Sequence, residues 1–132
     1  MAVLIDTSVL VALERQELGL AEIIRPGERY AISVVSAAEL LHGVHRAVGR
    51  RAQGRSAYVE GVLGTLQGLP IDMAVARAYG RVSAELARTG ASVDANDLWI
   101  GATALAHGLE VLALDGDLDR IPGLRRAAPA GS

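Results

Sequence analysis

Acidic residues at four separated places carry most of the chemical potential of this chain: Asp6, Glu39, Asp97 and the close pair Asp115 and Asp117. Carboxylates brought together repel one another, and their pKa values rise unless a cation neutralises them. An all-oxygen set without cysteine or paired histidine suits a hard divalent ion, Mg²⁺ or Mn²⁺. Two such ions about 4 Å apart can clamp the attacking and leaving oxygens of a phosphodiester. The same ions would let an acidic pocket accept a polyanion.

Each acid also has a local structural reading. Ser36-Ala37-Ala38-Glu39 has the form of a capping box, with Glu39 reaching back to the Ser36 amide. Asp94 suits a helix N-cap and Asp97 a favourable first-turn charge. Asp6 can cap a first helix, and Asp115-Gly116 is an ordinary turn signal. Only the set of acids points to a site. Asp115, Asp117 and Asp119 imitate the start of a calcium loop, but the glycine and the bidentate glutamate that loop requires are replaced by Arg120 and Arg126. His42 and His45 lie three apart on one predicted helix without a third partner, and His107 suits a helix C-terminus.

The elements that must position these acids follow from hydrophobic patterning. Val3-Leu4-Ile5 reads as a buried strand and Asp6-Thr7-Ser8 as the cap of a helix from Val9 to Gln16. A second helical piece is expected from Leu18 to Ile24, and a strand from Tyr30 to Val35. A helix is expected from Ser36 to Val48, a basic glycine-punctuated loop from Gly49 to Arg55, and a helix from Ser56 to Gln67. Leu69-Pro70-Ile71 reads as a short strand or edge. Asp72 caps a helix from Met73 to Arg88 that stops at Gly90. Another helix runs from Asp94 to His107, stopped by Gly108. Glu110 to Leu114 reads as a strand, Asp115 to Arg120 as a turn, and residues 125–132 as a flexible tail. Strands alternating with helices predict an α/β fold, a short parallel sheet sandwiched between helices in one domain over residues 1–124. In such sheets the carboxyl ends of the strands form the ligand-binding rim. Asp6 and Asp115 both follow strands, and Glu39 and Asp97 lie near helix starts, so all can meet there.

Composition narrows the field. The chain has 132 residues and 51% hydrophobic content, enough for one globular core. It has no cysteine, which excludes disulfides, thiolate metal sites and cysteine nucleophiles and agrees with a reducing, cytoplasmic location. No apolar run is long enough for a membrane span, and the N-terminus lacks signal-peptide features. The net charge of −2 does not announce a nucleic-acid binder, yet all 13 basic residues are arginine, the better fork for phosphate.

In these elements the sequence resembles a known family. Leu4-Ile5-Asp6-Thr7-Ser8-Val9-Leu10 is similar to the opening motif of PIN-domain ribonucleases, above all the VapC toxins of bacterial toxin–antitoxin pairs. Ser33-Val34-Val35-Ser36-Ala37-Ala38-Glu39-Leu40-Leu41-His42-Gly43 resembles their second motif, and Asn96-Asp97-Leu98-Trp99-Ile100-Gly101-Ala102-Thr103-Ala104-Leu105 the third. The run from Leu112 through Asp115, Gly116 and Asp117 to Leu124 resembles the last. The resemblance spans Val3 to Leu124. It implies that Asp6, Glu39 and Asp97 are metal-binding acids, that Asp115 or Asp117 is the fourth, and that Thr7 and Ser8 support them. It further implies Mg²⁺- or Mn²⁺-dependent endonucleolytic cleavage of RNA, a VapB-type antitoxin partner, a homodimer and a toxin–antitoxin hetero-oligomer. The chain departs from the pattern at Ala113, where many relatives carry a threonine.

Other surfaces leave two readings open. Arg46, Arg50, Arg51 and Arg55 form either a solvated loop or a phosphate-tracking edge. The apolar residues between Leu10 and Ile24 pack the core, receive an antitoxin helix or form a dimer surface. Tyr79 and Trp99 are assigned to packing. Against the ribonuclease stands a PIN-like binding module without chemistry. A phosphotransfer domain is disfavoured: Ser8 stands where a phosphatase wants a second aspartate, and a receiver domain's lysine is missing.

Overall fold

The computed structural model describes residues 2–130. Four parallel strands form one sheet: β1 (Ala2–Ile5), β2 (Arg29–Ser33), β3 (Gln67–Leu69) and β4 (Glu110–Leu112), in the spatial order β3-β2-β1-β4. Five helices connect them: α1 (Thr7–Glu14), α2 (Val34–Arg46), α3 (Arg50–Thr65), α4 (Met73–Thr89) and α5 (Ala95–His107). The predicted α/β sandwich is therefore the observed one.

Alternation along the strands explains the layers. Val3 and Ile5 of β1 join Ile32 and Leu112 beneath Val9, Leu10, Leu40 and Val59, from α1, α2 and α3. Leu4, Ala31 and Val111 point the opposite way and pack with Val82, Leu86, Leu98 and Ile100 from α4 and α5. With both faces covered, the strands are apolar except at their ends, where Arg29, Ser33, Gln67 and Glu110 stand. On the α4–α5 side Tyr79 stacks on Trp99, ring centroids 3.8 Å apart, which confirms both as packing residues.

Several local expectations shift. The strand at Arg29–Ser33 ends earlier than expected, and Ser33, not Ser36, caps α2, accepting from the Val35 amide at 3.0 Å. The capping box at Ser36 to Glu39 therefore does not form: Ser36 is fully buried inside the helix. The segment expected as a helix from Leu18 to Ile24 holds only a 3-10 turn, Leu20–Glu22. The basic loop is largely helical, because α3 begins at Arg50. Its docking explains why: Val59 is buried, and the Tyr58 hydroxyl donates to Leu10 O at 2.6 Å. Burial and the neighbouring Glu14 push the Tyr58 phenol above its ordinary pKa. The strand β4 stops at Leu112, so Ala113 and Leu114 already belong to the rim.

Residues 125–127, expected as part of a flexible tail, run beside β4: the Val111 amide donates to Arg125 O at 2.9 Å and the Ala127 amide to Val111 O at 2.8 Å. Positions 131–132 of that expected tail lie outside the described residues.

Candidate active site

The strand order places a switch point at β1 and β4. From β1 the chain crosses to β2 on one side, and β4 later returns to its other side. Ligands of open parallel sheets bind in the crevice at such a point. Asp6 follows β1 there, its amide donating to Leu112 O of β4 at 2.9 Å.

Asp6 is 5% exposed and caps α1. Its Oδ2 accepts from the Ser8 amide at 3.2 Å and from the Ser8 hydroxyl at 2.6 Å. The Ser8 oxygen also accepts from the Leu114 amide at 3.2 Å, tying the first acid to the chain beyond β4. Asp6 thus caps α1 and lines the candidate site at once. Glu39 lies one turn further into α2 than expected, because the helix begins at Val34. Its Oε1 stands 2.7 Å from Thr7 Oγ1, and Thr7 Oγ1 stands 2.9 Å from Ser36 Oγ. A hydroxyl has one proton to give, and a carboxylate is the stronger acceptor. Thr7 therefore donates to Glu39, and Ser36 orients Thr7 from below. Ser36, assigned to a cap in the sequence, supports Thr7 and through it Glu39, a contact that local pattern does not reveal.

Asp97 sits in the first turn of α5, which Asp94 caps by accepting from the Asn96 amide at 3.1 Å. Asp115 Oδ1 accepts from the Asp117 amide at 3.2 Å and so shapes the turn that presents Asp117. A cavity of about 360 Å³ brings Asp6, Thr7, Ser8, Glu39, Asp97, Asp115 and Asp117 to one rim. Arg15 and Glu17 line it as well, and nothing in the sequence announces them. A tight turn at Gln16, with φ of 60°, folds the chain back so that the Glu17 amide donates to Ala12 O at 2.9 Å. Glycine or asparagine usually marks that left-handed position.

Burial, and then the charges of Asp6, Asp117, Asp94 and Glu39, push the Asp97 carboxyl up to about 6. Of the final acidic pair, Asp117 is the one whose charge acts on Asp97. Among the described residues no donor bonds to the Asp97 carboxylate, and Arg15 pairs with none of the acids. Nor is any group of three His, Asp or Glu side chains among them already drawn around a common ion position. The two facts agree physically. Bare carboxylates hold each other at a distance within Coulomb reach, and Mg²⁺ keeps several waters, so it needs only one or two direct carboxylates. An oxygen-only donor set with uncompensated negative charge fits a hard divalent ion.

The match of the PIN domain family to residues 3–124 covers nearly the whole chain and all of these acids. This chain belongs to the PIN-domain family. Ribonuclease VapC5 of Mycobacterium tuberculosis is 40% identical over 121 residues, covering 90% of this chain and 87% of the relative. Ribonuclease VapC4 of the same organism is 34% identical over 119 residues, 90% of each chain. Among solved structures, that of VapBC-5 from M. tuberculosis contains a chain 35% identical to this one, with a TM-score of 0.79 over 96% of this chain and 98% of that one. A chain of VapBC2 from Rickettsia felis, bound to a promoter DNA fragment, shares the fold at a TM-score of 0.84 and 22% identity, over 98% and 99% of the two chains. This PIN domain is accordingly of the VapC type. No helix among its described residues is long and apolar enough to cross a membrane.

Proposed function

We propose that this PIN domain is a Mg²⁺- or Mn²⁺-dependent endoribonuclease, the toxin of a toxin–antitoxin pair, with Asp6, Glu39, Asp97 and Asp117 as its metal-binding acids. The observation that carries the proposal is the meeting of acids from four parts of the chain in one cavity without a paired cation, where burial and then the neighbouring carboxylates raise the Asp97 pKa. Such crowding is costly for a protein that holds nothing there, and a divalent ion reverses its sign. Asp115 organises the turn.

When bound, the ions would activate water and stabilise the developing charge on the phosphodiester. The chain's own residues prepare for this. Ser8 fixes the Asp6 carboxylate through Oδ2 and leaves Oδ1 for a ligand. Thr7 fixes Glu39 through Oε1 and leaves Oε2. Asp97, with its carboxyl raised to about 6, gives up its proton more readily once a cation is near. The scarcity of aromatics, 3% of the chain, leaves backbone contact and shape as the means of holding RNA. The curated relatives named ribonucleases and the neighbours solved as VapBC complexes support both the activity and a VapB-type antitoxin as partner. Homodimers and toxin–antitoxin hetero-oligomers belong to the same proposal.

The test is cleavage of labelled RNA by the purified protein in Mg²⁺, in Mn²⁺ and in EDTA, alongside Glu39→Gln. Cleavage should require the metal and be lost in the variant. A Glu39→Gln protein that cuts as well as wild type would remove Glu39 from the site, and cleavage persisting in EDTA would overturn the metal mechanism.

A further inference from the structure

The acidic cavity does not end at Glu39. It shares Thr7, Val11, Arg15 and Glu39 with a narrower cavity of about 100 Å³, and that one also contains Gly43 and Arg55. Gly43 and Arg55 in turn line a third cavity of about 330 Å³, together with Arg46 and Arg51. The three form one trench, acidic at the β1–β4 rim and basic where α2 passes into α3.

The basic end is preorganised. Arg55 Nε is held by Glu14 at 3.2 Å. Its guanidinium lies across α2 at Gly43, where a Cβ would come within 3.0 Å of Nη1. Arg46 ends α2, and Arg51 stands in the first turn of α3, where a positive charge opposes the helix dipole. Among the described residues neither the Arg46 nor the Arg51 side chain makes a hydrogen bond or ion pair. Three guanidiniums line one cavity; Glu14 pairs with Arg55, and the charges of Arg46 and Arg51 are left without a carboxylate partner among the described residues.

We infer that Arg46, Arg51 and Arg55 form a docking site for an RNA backbone phosphate away from the bond that is cut, so that the strand lies along the trench. The inference rests on the ribonuclease reading of the acidic end. Guanidinium forks match phosphate oxygens bidentately. An acidic peptide would suit the arginines but would be repelled at the other end. A phosphodiester chain suits both, through cations at one end and arginines at the other. The site reads charge and spacing, not base identity, and sets affinity and strand register.

The experiment is anisotropy of fluorescein-labelled poly(U) RNA over a salt series in EDTA, comparing wild type with Arg46→Gln/Arg51→Gln. EDTA strips metal from the acidic end of every protein alike, so the difference between the proteins reports the arginine end. The control is Arg81→Gln/Arg88→Gln, which removes the same charge from exposed positions of α4 outside all three cavities. The trench variant should bind about tenfold more weakly, with a slope of log K against log salt shallower by about 1, while the control stays near wild type. Equal losses in both double variants would mean that net charge alone acts, and would overturn the site. So would wild-type affinity and slope in the trench variant, including the case where it loses only an acidic protein partner. Cleavage in Mg²⁺ is scored separately. A wild-type protein that never cuts RNA, yet loses binding on arginine replacement, refutes the nuclease and keeps the docking site.

Discussion

The Thr7 hydroxyl meets Glu39 Oε1 at 2.7 Å across 32 positions of sequence, joining the first turn of α1 to the middle of α2. This bond fixes one acid of the proposed site through Oε1 and leaves Oε2 without a donor among the described residues. Thr7→Val keeps the volume and removes the donor. Groups that orient a metal ligand typically matter about 10- to 100-fold in metal affinity or activity. Thr7→Val should therefore lower RNA cleavage by that order with little change in melting temperature, and Thr7→Ser should restore most of it. Titrating activity with Mn²⁺ checks this: if Thr7 positions Glu39, the half-saturating Mn²⁺ concentration rises.

Ser8 joins two strand ends, donating to Asp6 Oδ2 at 2.6 Å and accepting from the Leu114 amide at 3.2 Å. In Ser8→Ala the Leu114 amide turns to water, so the stability cost should be about 1 kcal/mol. Asp6 keeps only the weaker bond from the Ser8 backbone. Metal affinity should fall further than stability does, by about tenfold or more. Calorimetric Mn²⁺ titration beside a thermal melt separates the two; a variant that melts far lower yet binds Mn²⁺ normally would place Ser8 in the fold alone.

The raised Asp97 carboxyl makes the metal-free protein sensitive to pH. Its pKa moves from 3.8, the ordinary value for an aspartate, to about 6 in the folded chain, through burial and then the charges of Asp6, Asp117, Asp94 and Glu39. Within that window the native state holds a proton that the unfolded chain has released. Stability therefore falls as pH rises from about 4 to about 6, since the unfolded chain binds fewer protons there. Asp97→Asn should flatten this part of the profile and raise the melting temperature in EDTA at neutral pH. Mg²⁺ should bind more tightly as pH rises through about 6, because it displaces that proton. Melting curves in EDTA across this range, for both proteins, test the sign; parallel profiles would show that Asp97 is not the group responsible.

Legibility in the sequence follows the range of the interactions. Asp72, Gly90, Asp94 and Gly108 delimit α4 and α5 as read, because a cap is settled by its own neighbours. Ser33 and Ser36 compete as caps of one helix, and only the end of β2 decides between them. Glu39 looks like half of a capping box because its partner Thr7 lies on another element. Arg50 to Arg55 looks like a loop because glycines and a run of arginines interrupt any apolar stripe; burial of Val59 and the Tyr58 bond to Leu10 override the weak local propensity. Arg15 and Glu17 reach the cavity through a left-handed Gln16 that carries no glycine signal.

Gly101 shows a packing demand inside the third motif. It is buried in α5, and a Cβ there would run into Ile121 Cδ1. Ile121 is 3% exposed, so the methyl has little room to withdraw. Gly101→Ala gains helix propensity, but overpacking of this kind costs about 1–3 kcal/mol and should dominate. Ile121→Val removes the atom in collision and alone costs about 0.5–1.5 kcal/mol. The double variant should be more stable than the sum of the two single losses predicts, because each change relieves the other. Urea denaturation of all four proteins measures that coupling. Strict additivity would mean that α5 shifts as a body instead, and Asp97, on its first turn, would then lose activity in Gly101→Ala out of proportion to the stability change.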